Sequence, residues 1–326
     1  MRIGLALGLL VLGSSCGDTG PLQHAAAGTT ASLLAMAQPA LQMESDYELA
    51  ARALPGALKT IEGFYVADAS PVLRNILTEG YCQYATAFVE DEWEVAKFAQ
   101  KIDEIDDQNQ RASKMFARCM NYAFMDLPSG TEKDLFGAPD IAAKRIASIG
   151  SKDRTPFMWA IVGLGGMVNH NLTRVEMLSM LPTVKAGLER LVVIDKADHG
   201  EIDGTKHVPC DSGCTVRLAL PHIALGLVYS AASTQFGGDP KRAGDEFNIA
   251  LRITADKDHP DGKMLLARTL WAYRVGLQTN DRKLFHDQLV KVLETDPAVW
   301  PEQRLANEVA QRRARRYLSH EKDLFQ

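Results

Sequence analysis

Residues 221–255 decide the fold. They read PHIALGLVYSAASTQF (221–236), GGDP (237–240) and KRAGDEFNIALRITA (241–255). Apolar residues recur at helical spacing on both sides of the Gly-Gly-Asp-Pro break, so the stretch predicts two short amphipathic helices joined by a turn. The first helix carries Gly226 and Tyr229 and the second carries Ala243, Phe247 and Ala250. Small residues at 226, 243 and 250 let two antiparallel helices approach closely, and the two aromatic rings fill the remaining volume.

That spacing is the tetratricopeptide pattern, and looser copies lie on either side. Gly80 is followed by Ala112, Phe116 and Cys119, with a long insertion reading WEVAKFAQKIDEIDDQNQ between them. Another copy opens at Trp159, Val162 and Gly163 and continues at Val184, Leu188 and Leu191. A last one runs through Gly276, Phe285, Leu289 and Val292 to Asp296-Pro297. Sustained strand-like alternation is missing. The expected fold is all-α, with tetratricopeptide-like hairpins stacked in a compact, solenoid-like domain over residues 46–326; the competing reading is an irregular helical bundle.

With 326 residues and 46% hydrophobic content, the chain can bury a sizeable core. The formal charge of −5 becomes −6 when residues 1–15, which hold Arg2 and no acid, are removed. That balance argues against nucleic acid. Residues 3–12 form an apolar run of signal-peptide length, too short for a membrane span, and end in Leu12-Gly13-Ser14-Ser15-Cys16. Small residues before a cysteine resemble a lipobox, so residues 1–15 are expected to be a lipoprotein signal and Cys16 the lipid-attachment site. Gly13 stands where an aliphatic residue is preferred, which leaves an ordinary secretory signal as the alternative. Gly17 after the cysteine favours the outer membrane by resemblance to known lipoproteins. Residues 16–45 are expected to form the lipidated N-terminus and a flexible tether.

Export permits disulfides. Cys210 and Cys214 enclose Asp-Ser-Gly and are expected to bond to each other. Cys82 and Cys119 lie on facing helices, with buried thiols preferred over a bond there. The acids and histidines of residues 195–214 (Asp195, Asp198, His199, Glu201, Asp203, His207 and Asp211) match neither a calcium nor a zinc spacing, so no metal or cofactor is expected. Gly163-Leu164-Gly165-Gly166 reads as close helix packing. Tyr81, Tyr84, Met158, Trp159 and Met167 read as core before they read as a ligand cleft. Arg312, Arg313, Arg315 and Arg316 read as a solvated helix end, with anionic lipid as the second reading. No hydrolase, zinc-protease or phosphate-loop motif occurs, so no catalytic residue is assigned.

The chain resembles the TatT component family of TRAP transporters over roughly residues 50–326. The carriers are Ala53-Leu54-Pro55, Glu79-Gly80-Tyr81, Phe236-Gly237-Gly238-Asp239-Pro240 with Ala243 and Phe247, Asp281-Arg282 with Phe285, Arg304-Leu305-Ala306-Asn307, and the closing Asp323-Leu324-Phe325. The resemblance implies an accessory periplasmic lipoprotein that associates with the solute-binding protein of a tripartite transporter. It also implies a homotrimer and a cleft for a small, apolar ligand. Two other functions stay open: a general scaffold for envelope assembly or secretion, and a helical enzyme with a dispersed site.

Overall fold

The computed structural model describes residues 21–200, 210–231 and 238–325. Among these the chain is helical throughout, with no strand. It opens with α1 (Pro21–Gln42), α2 (Tyr47–Ala67) and α3 (Pro71–Tyr84). A π-helical turn, Ala85–Val89, carries α3 into α4 (Glu90–Phe98), and α5 (Ile102–Phe124) folds back along both. The short α6 (Thr131–Leu135) and α7 (Pro139–Ser148) lead to α8 (Arg154–Asn169), α9 (Val175–Leu178) and α10 (Leu181–His199). Two hairpins follow: α11 (Ser212–Tyr229) with α12 (Pro240–Ile253), and α13 (Leu265–Gln278) with α14 (Arg282–Glu294). The chain ends in α15 (Arg304–Ser319) and α16 (Glu321–Leu324).

Local chemistry sets several helix starts. Asp46, Asp211, Asp239 and Asp281 each stand before a first turn, and their side chains accept from the backbone N–H of Leu49, Cys214, Arg242 and Leu284. At Asp239-Pro240 the cap is followed by a proline whose missing N–H costs nothing in a first turn.

The hairpin read from residues 221–255 packs as its spacing requires. A Cβ placed on Gly226 would come within 2.8 Å of the Phe247 ring. Phe247, Ala243 and Ala250 are fully buried and Tyr229 nearly so. In the next hairpin a Cβ on Gly276 would meet the Phe285 Cβ at 3.0 Å. Glycines on α8 do the same work: Gly166 faces the Phe116 ring of α5, and Gly163 faces Met120. Tyr81, Tyr84, Met158 and Trp159 are buried in the main core, with Met167 packed against it.

Three expectations need correction. Residues 16–45 are no flexible tether throughout, because 21–42 form α1, which packs on α3 and α15 and buries Ala31. The small residues of 17–30 that suggested a linker include Ala25, Ala26 and Ala27, and alanine is the best helix former. Cys82 and Cys119, preferred as thiols, are bonded across α3 and α5, whose Cα atoms there stand 5.3 Å apart. Cys210 and Cys214, expected to bond, are free thiols. The Asp211 cap fixes Cys214 in the first turn of α11, and the Cys210 Sγ lies 3.6 Å from the Thr215 hydroxyl. Burial, then the neighbouring Cys210 thiol, pushes the Cys214 thiol up to about 12.

The α3–α5 bond spans 37 residues. Replacing Cys82 and Cys119 together by alanine is expected to cost about 2–4 kcal/mol. Urea melts of the variant and of the oxidised protein measure the difference, and coincident melts would show that the bond does not constrain the chain.

Candidate functional site

Acids recur at positions 90, 91 and 94 and arginines at 312, 313 and 316. Both sets follow the spacing i, i+1, i+4, which puts each on one side of its helix. The fold brings α15 against α4 and engages the two sets, although Arg312 and Asp91, for example, lie 221 residues apart in the chain. Asp91 is 0% exposed. It accepts from Arg312 Nε at 2.7 Å, from the Tyr47 hydroxyl at 2.9 Å and from Arg316. Glu94 accepts from Arg316 at 2.9 Å and from the Tyr317 hydroxyl at 2.7 Å. Arg313 is 2% exposed and donates to the Thr86 carbonyl at 2.6 Å, with the carboxylates of Glu90 and Glu94 each 3.7 Å away. His170 completes the seam, its ring nitrogens 3.1 Å from Glu90 Oε1 and 3.0 Å from Asn109 Oδ1.

Reading the C-terminal arginines as a solvated helix end is therefore wrong for Arg313 and Arg316, which are buried against internal acids, while Arg312 remains half-exposed and still pairs with the buried Asp91. Arg315 donates to Gln311 Oε1 at 2.9 Å. The rest of α15 serves the same closure. Asn307, fully buried, accepts from the Leu265 N–H that opens α13 and donates to the carbonyls of Lys263 and Pro297. Gln311 donates to the Val292 and Thr295 carbonyls at the end of α14. The last long helix thus caps its neighbours and ties them to α1, α2 and α4, so the array closes on its own beginning.

Burial opposes the charge on Asp91, but hydrogen bonds from Arg316 and Arg312 outweigh it and hold the carboxyl below its usual range. On Glu90 burial is likewise overcome, by His170, Arg313 and Arg274. Carboxylates held this way are poor proton carriers near neutral pH. The seam is suited to fixing geometry rather than to chemistry. Its linkage has a definite sign. Both folded values lie below the unfolded ones, so the stabilisation is complete above the ordinary carboxylate range and is lost as pH falls through the lowered values. The urea midpoint is expected to hold from neutrality to about pH 5 and to fall below about pH 4. In Asp91→Asn the acid limb should be shallower, and an unchanged limb would remove Asp91 from the account.

A second buried pair, Arg154–Asp195, joins α8 to α10 through two hydrogen bonds of 2.6 and 2.7 Å. Asp195, read as part of an acidic loop, is therefore structural, and Asp198 accepts from Ser151. Glu201, Asp203 and His207 lie outside the described residues, as does Cys16. Among the described residues no group of His, Cys, Asp and Glu could hold a metal ion, and no helix is long and apolar enough to cross a membrane.

The described residues thus form a compact all-α body whose N-terminal and C-terminal helices are joined by buried ion pairs. The sequence model of the TRAP transporter T-component matches residues 43–203 and 218–325, and the chain belongs to that family. Membership supports an accessory role in a TRAP transporter and suggests a periplasmic or envelope location. The family is not a known enzyme family. The chain is also similar to a protein of Treponema pallidum (strain Nichols) described as uncharacterized, with 28% identity over 293 residues, 86% of this chain and 81% of that protein.

Proposed function

We propose that this protein is a non-catalytic subunit that holds the solute-binding protein of a TRAP transporter at the membrane surface, anchored through a lipid on Cys16 and facing the periplasm. Family membership carries the reading. The closed architecture supports it: the ionised seam fixes the relative positions of the first and last helices, as a docking platform requires. Leu33 and Met36 on α1, and Leu49, Phe64 and Val66 on α2, are exposed apolar side chains that add contact area close to the anchored end.

The decisive experiment is capture of partners from periplasmic extract by the immobilised protein. Enrichment of a transporter's solute-binding protein is the expected result. Recovery of secretion or peptidoglycan-assembly components in its place would favour a general scaffold. In parallel, Cys16→Ala is expected to move the protein from the membrane pellet to the soluble envelope fraction. If the variant stays in the pellet, lipid on Cys16 is not the anchor.

A further inference from the structure

The helix that runs from Pro71 to Phe98 changes phase once, in the π-turn Ala85–Val89. Before the turn, Leu77, Tyr81, Ala85 and Phe88 are buried at the spacing i, i+4, i+8, i+11, the stripe of an unbroken α-helix. In that register the stripe would run on to positions 92, 95 and 99. Glu92 and Ala99 are exposed, however, and Val95 is 39% exposed. The stripe continues one place later, at the buried Val89, the half-buried Trp93 and the buried Ala96. A shift of one residue is a rotation of about 100° in a helix of 3.6 residues per turn.

The backbone shows where the extra residue is taken up. The Glu90 N–H bonds to the Ala85 carbonyl, five residues back. In an α-helix it would take the Thr86 carbonyl, four residues back. That carbonyl accepts from Arg313 of α15 at 2.6 Å. Arg313 also has the carboxylates of Glu90 and Glu94 within ion-pair distance, so one guanidinium touches both the π-turn and the acids beyond it.

Both halves of the helix are seated on the same neighbour. Cys82 ties α3 to α5 by a disulfide, and α4 packs on α5 as well. With α3 fixed there, an α-helical register would turn α4 by about 100°, drawing Glu92 inward and swinging Asp91 and Glu94 off the face that α15 meets.

We propose that the π-turn is a phase-setting device, one residue more than an α-helix needs, which lets a single helix pack on α5 along its whole length and still aim the acids of α4 at α15. The device belongs to the fold of this chain and is independent of which protein the chain docks.

Length variants at Ala87, a half-buried residue inside the turn, test it in the full-length protein. Deleting Ala87 puts Glu90 four residues after Ala85, so their hydrogen bond becomes an ordinary α-helical one and Asp91 and Glu94 keep their direction. Inserting a second alanine beside Ala87 turns α4 further. The deletion variant is expected to fold and to melt close to the parent, and the insertion variant to melt lower by about 4–7 °C or more, the shift set by loss of the buried ion pairs. Asp91→Ala should lower the melting temperature of the deletion variant as much as that of the parent, a response that mere tolerance of the deletion would not produce. A deletion variant that fails to fold or melts as low as the insertion variant overturns the proposal. So does an insertion variant as stable as the parent, or an Asp91→Ala change that leaves the parent or the deletion variant unmoved.

Discussion

Asp91→Ala is expected to destabilise the fold by about 3–5 kcal/mol, the range for removing one partner of a buried charge network. Asp91 is fully buried and takes hydrogen bonds from Arg312, Arg316 and Tyr47. Its removal leaves Arg316 with Glu94 as its one carboxylate, beside the backbone carbonyl of residue 91, and Arg312 with Glu48 at 3.6 Å, a partner that is mostly exposed. For a chain of 326 residues the loss corresponds to a melting temperature lower by roughly 4–7 °C. The stronger test is a cycle. Asp91→Ala with Arg316→Met should cost less than the sum of the two single changes, because the second removes a charge that the first stranded. Additive costs would mean that the two groups do not sense one another, and the seam would then be ordinary surface pairing.

Phe247→Ala carries the second large expected effect, again about 3–5 kcal/mol. The ring is fully buried against the bare face of Gly226, in a gap that only a flat side chain of that size fills. The backbones on both sides are held by their own helices, so the cavity cannot collapse easily. Phe247→Leu should lose less, since it returns most of the volume. Thermal melts of the two variants decide the point. A shift near zero for Phe247→Ala would place the ring outside the α11–α12 contact and overturn the register of the whole hairpin.

The two effects differ in how far the sequence discloses them. Gly226, Tyr229, Ala243, Phe247 and Ala250 lie within 25 residues, and their contacts follow from helix periodicity and one turn. The same holds for Gly276 with Phe285. The seam had a visible signal, acids at 90, 91 and 94 mirrored by arginines at 312, 313 and 316. Nothing local, however, says that two helices roughly 200 residues apart in the chain, such as those holding Asp91 and Arg312, will meet. The acids sat in what looked like an insertion, and the arginines at what looked like a solvated end. The cysteines show the same limit. The short ring at Cys210 and Cys214 was attractive as a sequence pattern, whereas the bond forms between Cys82 and Cys119, which packing alone brings together.

By itself the sequence determined the helical class, the hairpin at residues 221–255, the copy through Gly276, Phe285, Leu289 and Val292, and the family. Each depends on residues a few turns apart, where spacing and side-chain chemistry act through the local backbone. Tertiary structure alone decided that α1 is part of the body, that α15 closes the array onto α4, which cysteines pair, and that Asp91 and Arg313 are buried together. Those outcomes depend on which distant surfaces exclude water together. A charge that is unremarkable in solution is held strongly only once its neighbours have removed it from water.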